Sequence, residues 1–396
     1  MHARLDEVLQ AAVDAGDVPC VVATAADDDG TLYEGAAGTR EPGGEPVTPD
    51  TMFRIASMTK MVATVAALQQ VERGNLDLDE PIATYLPDFA GVQVLEGFDG
   101  DTPRLRPPAS QATVRQLVTH TTGLTYWFWN ADCVRWQECT GTPTVMSGDE
   151  VVFTAPLIDD PGARWEYGIN TDWLGRVVEA ASGQPLDAYF AAHILGPLGM
   201  TSTAFRIDDA QRANLVPIHL RGEDGSWEPS DIDWARDPDW WAGGHGLYST
   251  PRDYLRFQRM LLGAGSVDDV TLLEPATVQA AFTNQIGDLD VPPAIPTADP
   301  SSSDDFNAGP GHKWGLGLLL NTLQKPGMRA PGSGAWAGLF NTHFWVDPAS
   351  RVTGAIYSQT LPFVEPRVFQ VYVDFEQALY AALSGLRADR EAVTAA

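Results

Sequence analysis

Hydrophobic positions recur at helical spacing close to the start of the chain. Leu5, Val8, Leu9, Ala12 and Val13 make one stripe, which predicts an amphipathic helix over roughly the first fifteen residues. Residues 20–25 and 31–35 then read as two strands, with Asp27-Asp28-Asp29-Gly30 as their hairpin turn. After a polar loop, residues 52–55 form a short apolar strand that runs straight into a helix. That helix is apolar nearly all round (Met61, Val62, Ala63, Val65, Ala66, Leu68, Val71), so it belongs in a core. Gly74 is placed to end it as the C′ residue, where positive φ is cheap.

The middle of the chain has a different texture. Residues 77–87 read as loop and short helix, and residues 97–108 are a Pro/Gly/Asp-rich stretch. A helix starts at Val114 and leads into T-H-T-T-G-L at residues 119–124. Residues 126–144 fit neither period: Tyr126, Trp127, Phe128 and Trp129 are followed by Trp136 and two cysteines among polar residues. Such a loop is either a substrate wall or a satellite core. Helices are expected over 173–181 and 186–195, and a tryptophan-rich loop over 229–242. A glycine turn, G-G-H-G-L, comes next, and Thr250 caps a helix with Pro251 at its first position. Residues 285–311, rich in Pro, Ser and Asp, read as a mobile or lid-like excursion. Three strand-like runs at 314–321, 336–346 and 352–359 suggest an antiparallel meander, residues 368–386 a closing helix, and residues 387–396 a frayed tail.

This order predicts an α/β (α+β) fold in which helices flank an antiparallel sheet. Residues 1–75 and 250–396 would build that unit, and residues 76–249 a mostly helical insertion with aromatic-rich loops. The active site is expected between them.

Charge narrows the partners. A net charge of −28 argues against nucleic acid or an anionic membrane surface as the main partner. No stretch has the length of a transmembrane helix, and the start M-H-A-R-L-D-E-V-L-Q lacks an apolar run, so a cytoplasmic location is expected. Cys133 and Cys139 could pair across a short loop; in a reducing compartment they and Cys20 stay thiols. The histidines are scattered with no H-E-x-x-H, and no C-x-x-C occurs, so neither metal nor organic cofactor is expected. Oligomeric state is left open.

The strand-to-helix junction carries candidate chemistry. Ser57 and Lys60 are three residues apart, within reach on one helical face. An unactivated serine is a poor nucleophile, and a neighbouring base or cation activates it. The alternative is a helix cap beside a surface lysine. Against it, the chain holds only three lysines beside 22 arginines, and a buried cation is costly without partners.

Two further stretches extend this picture: Y-G-I-N at residues 167–170 and W-A-G-L at 336–339, followed by F-N-T-H-F-W-V-D-P. With F-R-I-A-S-M-T-K at residues 53–60, and in this order, they resemble serine hydrolases built like class C β-lactamases and D-alanyl-D-alanine peptidases. The motifs look closest to family VIII carboxylesterases, and the resemblance covers roughly residues 5–383. It implies an acyl-enzyme on Ser57, proton transfer by Lys60 and Tyr167, and an oxyanion hole from the backbone N–H groups of Ser57 and Leu339. It also implies a small-molecule ester as substrate. Two departures stand out. Trp336 holds the place of the cation of a K-T-G motif, and Gly338 its glycine, which disfavours anionic β-lactams. Asn170 comes one residue later than in Y-x-N. His245, Tyr126, Trp127, Trp129 and Trp241 are the remaining candidate substrate contacts. The alternatives are amide or peptide hydrolysis of β-lactamase or D-aminopeptidase type, acyl transfer to an alcohol, and a non-catalytic penicillin-recognition-like binding protein.

Overall fold

The computed structural model describes residues 1–394; Ala395 and Ala396 lie outside the described residues. The first helix, α1 (His2–Asp14), packs its Leu5, Leu9 and Ala12 stripe inward. It is followed by the antiparallel pair β1 (Cys20–Asp27) and β2 (Thr31–Gly38). A two-residue strand, β3 (Phe53–Arg54), leads through a 3₁₀ turn at Ala56–Met58 to helix α2 (Thr59–Glu72). Gly74, with φ of 73°, follows that helix, and its N–H bonds back to the Val71 carbonyl.

Two stretches of the next segment differ from the pattern-based expectation, and the helix expected at Val114 is present. The stretch expected to be irregular around residues 97–108 contains a hairpin, β4 (Val94–Asp99) with β5 (Thr102–Arg106). Helix α3 (Val114–Val118) carries a full capping box between Thr113 and Gln116. The aromatic loop gives way to helix α4 (Ala131–Thr140), capped by the Asn130 side chain on the Asp132 and Cys133 N–H groups. Only Cys133 and Trp136 of α4 are buried, so the apolar stripe is too thin to show as a period. All three cysteines are free, and burial pushes the Cys20 and Cys133 thiols up to about 12. Helix α5 (Asn170–Ser182) packs directly on α2.

The strand β6 (Tyr248–Ser249) pairs with β3, and the Thr250-capped helix α6 (Pro251–Leu262) follows. The expected meander of three strands is five: β7 (His312–Trp314), β8 (Leu319–Asn321), β9 (Gly334–Gly338), β10 (Thr342–Asp347) and β11 (Val352–Tyr357). Residues 314–321 hold a turn rather than one strand, and residues 336–346 fold back at Leu339-Phe340-Asn341, with Asn341 at φ 60°. The sheet order is β7-β8-β9-β10-β11-β1-β2, antiparallel throughout. The C-terminal helix α7 (Pro366–Thr394) runs through most of the expected tail.

Two layers cover the sheet. Leu5 and Leu9 of α1, with Val371 and Phe375 of α7, meet Val21, Ala23, Trp345 and Ile356 on one face. On the other, Phe257 and Met260 of α6 share a core with Val22, Phe344, Tyr357 and α2. Because β1 is covered on both faces, it reads as a continuous apolar run rather than an alternation. Among the described residues no helix is long and apolar enough to cross a membrane. The excursion expected to be mobile is instead pinned. The Ala298 N–H bonds to the Phe128 carbonyl at 2.8 Å, and residues 302–304 exchange backbone bonds with Phe363.

Candidate active site

Ser57 lies in the 3₁₀ turn rather than in α2 itself, and Ala56 just before it has φ of 43°. A non-glycine residue in this region costs on the order of 1 kcal/mol or more, which the surrounding β3 and β9 contacts must hold. Residues three apart at this turn lie on one face, and Lys60 Nζ, from the first turn of α2, donates to Ser57 Oγ at 3.2 Å. Ser57 is 9% exposed and Lys60 1%.

The ammonium has three donors and each finds an acceptor. Besides Ser57 these are the Tyr126 hydroxyl at 3.0 Å and the Gly244 carbonyl at 2.8 Å. The rings of Tyr126 and Tyr167 flank the ammonium at 5.0 and 4.8 Å from their centroids. Burial brings the Lys60 pKa down to about 7, partly opposed by the nearby Asp172 carboxylate. A lysine that titrates near neutrality can trade a proton with a serine, which an ordinary surface lysine cannot do.

Tyr167 stands on the other side of Ser57. Its phenol oxygen accepts from Trp336 Nε1 at 2.9 Å. Burial raises its pKa, while bonds from Ser57 and Trp336 work against that rise. Beneath its ring lies His120, centroid to centroid 4.8 Å. Burial, reinforced by Lys60, drives the His120 pKa well down, so this imidazole is a neutral packing group.

The structure brings Ser57, Lys60, Tyr167, Trp336, Tyr126, His245 and Leu339 together. Trp336, on β9, reaches Ser57 only through Tyr167. A Cβ on Gly338 would stand 2.4 Å from the Ile55 carbonyl, so that glycine lets β9 approach the strand leading to Ser57 and carries Leu339 to the cleft. A small cavity, about 20 Å³, is lined by Ser57, Tyr126, Trp127, Met146, Trp234, His245 and Leu339 among others. A far larger cavity, about 750 Å³, is lined by Trp336 but by neither Ser57 nor Tyr167; it lies between β9 and α7.

Three expected substrate contacts fall elsewhere. Asn170 is fully buried, and its amide accepts from Thr122 and donates to His120 Nδ1 at 3.0 Å and the Leu124 carbonyl at 3.3 Å. It ties the T-H-T-T-G-L segment to the Tyr167 turn and does not face the cleft. The extra residue in Y-G-I-N carries it past the cleft into the start of α5. Trp241 packs on Phe205 at 5.4 Å, and Arg206 stacks on it at 5.0 Å, away from Ser57. Trp129 turns its indole N–H to Ser303 at 3.1 Å and its ring to Tyr167 and Phe306, so it backs the site instead of lining the small cavity. Trp127 does line that cavity, while its N–H binds Asp299 and Ser302.

Phe128, in the aromatic run, lines the small cavity as one reading of that run expects, whereas sequence reasoning missed Met146 and Trp234 as cavity walls and Asp172 beneath Lys60. Asp172 is fully buried; its Oδ2 accepts from the Tyr126 hydroxyl at 3.2 Å and its Oδ1 from the Gly244 N–H at 2.8 Å. An aspartate in a helix's first turn reads as an ordinary dipole partner, and no local pattern marks it otherwise.

This fold is that of the beta-lactamase-like serine hydrolases. A sequence model of the beta-lactamase family matches residues 5–379, and the chain belongs to that family. It is 32% identical to monacolin J acid methylbutanoyltransferase of Aspergillus terreus over 407 aligned residues, 95% of each chain. It is also 32% identical to lovastatin esterase of Penicillium rubens, over 88% of this chain and 91% of that protein. Unliganded simvastatin synthase from Aspergillus terreus superposes with a TM-score of 0.83 at 30% identity, covering 96% of this chain and 98% of that one. A hydrolase with promiscuous acyltransferase activity shares the fold at a TM-score of 0.77 and 23% identity, over 96% of this chain and 98% of that one. The protein is thus a beta-lactamase-fold serine hydrolase, with esterase and acyltransferase relatives.

Proposed function

We propose that the protein is a serine carboxylesterase acting on neutral small-molecule esters through an acyl-enzyme on Ser57. The observation that carries this reading is the 3.2 Å contact between Lys60 Nζ and Ser57 Oγ, with the Tyr167 phenol opposite. Ser57 Oγ attacks the ester carbonyl carbon, and its proton passes to the Lys60–Tyr167 pair. The backbone N–H groups of Ser57 and Leu339 hold the oxyanion. The bond to the alcohol oxygen breaks, the held proton goes to that oxygen, and water then attacks the acyl-enzyme by the reverse route. Trp336 puts an indole against Tyr167 where related enzymes place a cation, which supports neutral esters over anionic β-lactams. The close apolar walls beside Ser57 favour short acyl groups over long ones.

Transfer of the acyl group to an alcohol is the second reading. The close apolar walls around Ser57 favour it, because they limit water at the acyl-enzyme. The acyltransferases among the relatives point the same way. The test compares turnover of p-nitrophenyl acetate, butyrate and octanoate with that of nitrocefin, each with and without added alcohol. Ester turnover falling with chain length is expected; strong nitrocefin turnover with negligible ester turnover would overturn the assignment. Alkyl ester product exceeding free acid would promote the transferase reading. Mass spectrometry after a phosphonate probe should place the label on Ser57.

A further inference from the structure

Lys60 is aimed at Ser57 by two other acceptors, and the same carboxylate fixes both. The Tyr126 hydroxyl, which accepts from Lys60, donates in turn to Asp172 Oδ2 at 3.2 Å. The Gly244 peptide, whose carbonyl also accepts from Lys60, is held through its neighbouring N–H by Asp172 Oδ1 at 2.8 Å. The close approach depends on glycine, since a Cβ at position 244 would stand 2.5 Å from Oδ2. We propose that Asp172 is the positioning residue of the Ser57–Lys60 pair, setting both anchors of the ammonium and supplying its buried counter-charge. This rests on the acyl-enzyme reading above.

Among the described residues, Asp172 is the one anion facing Lys60. From α2 comes Lys60 itself, from the aromatic loop Tyr126, from the turn before α5 Tyr167, and from α3's C-terminal end His120. From the glycine turn comes His245, whose Nδ1 is 3.6 Å from Asp172 Oδ1. Both tyrosines have raised pKa values, so they remain neutral phenols. Burial alone would raise the Asp172 pKa, but His245, Lys60 and the Gly244 N–H hold it below the ordinary carboxylate value. The charge is therefore present throughout the working range. Removing it while keeping the shape should ease the loss of the Lys60 proton, because an anion nearby favours the charged amine.

The experiment is Asp172→Asn, with Tyr126→Phe as a second variant that cuts only the Oδ2 arm. For p-nitrophenyl acetate, D172N should lose about 10²-fold in kcat with KM little changed, as expected for a misaimed proton carrier. The acid limb of its kcat/KM profile should move to lower pH by about one unit or more. Y126F should lose less, about tenfold, with a smaller movement of the limb. A folded D172N that keeps the wild-type kcat, or loses rate with an unmoved acid limb, overturns the proposal. If D172N does not melt cooperatively, Y126F decides, and an unchanged rate and profile there overturns it. Absence of phosphonate label on Ser57 in the wild-type enzyme would instead remove the acyl-enzyme reading, so the two failures are distinct.

Discussion

The two flanks of the Ser57 hydroxyl are held by different chemistry. On one, Lys60 is a buried cation balanced by Asp172 and locked by three hydrogen bonds. On the other, Tyr167 is a neutral phenol steadied by one indole N–H from Trp336 and by stacked rings. The charged flank loses an ion's partner when it is cut, whereas the neutral flank loses only neutral hydrogen bonds. Buried charge is expensive to leave unpaired and a neutral hydrogen bond is not, so the flanks should respond unequally to substitution.

Ser57→Ala tests what both flanks serve. Ester hydrolysis should fall by about 10⁴-fold or more, read as the initial rate on p-nitrophenyl acetate. Lys60→Ala should come next, with an activity loss of about 10³-fold or more. It should also lower stability in denaturant titration by more than Y167F does, because three hydrogen bonds are cut and Asp172 keeps only His245, the Tyr126 hydroxyl and the Gly244 N–H. Tyr167→Phe should cost about 10²-fold in kcat while barely changing the melting temperature. An equal stability loss in Y167F and K60A would erase the contrast between the flanks. Trp336→Phe keeps the ring and removes the N–H, for a loss of about tenfold or less.

A last effect is a slope in pH and not a single loss. Folded Lys60 gives up its proton at about 7, against 10.5 for a free lysine. Between those values the unfolded chain binds one more proton, so this site's contribution to stability rises with pH across that window. Lys60→Met should flatten the rise, seen as a shallower dependence of Tm on pH between about 7 and 10.

Local pattern was a good guide where burial is periodic and a poor one where it is not. The stripe of α1, the all-apolar α2, and the Thr250-Pro251 start of α6 follow directly from side-chain order. Helix α4 escaped because it buries only two side chains and owes its start to the Asn130 cap. The excursion at residues 285–311 has the composition of a loose segment, yet Asp299, Ser302 and Ser303 use their polar groups to clamp Trp127 and Trp129. Polar content decides solubility of a segment, not whether it finds partners.

The site divides in the same way. Ser57 and Lys60 are close in sequence, so one turn of backbone puts them in contact. Tyr167 and Trp336 could be named from order and motif, but their hydrogen bond spans 169 residues and exists only once β9 folds against the Tyr167 turn. Asn170 shows the limit. The residue type fits a ligand contact, but its place at the head of α5 turns it into the core.

By itself, then, the sequence determined the family, the layered α/β plan and the candidate serine–lysine pair, because these rest on short-range spacing and on apolar period. Tertiary structure decided which groups balance the buried lysine. Asp172, Tyr126 and Gly244 come from three distant segments, and only their convergence in a dry interior turns them into the setting of one ammonium.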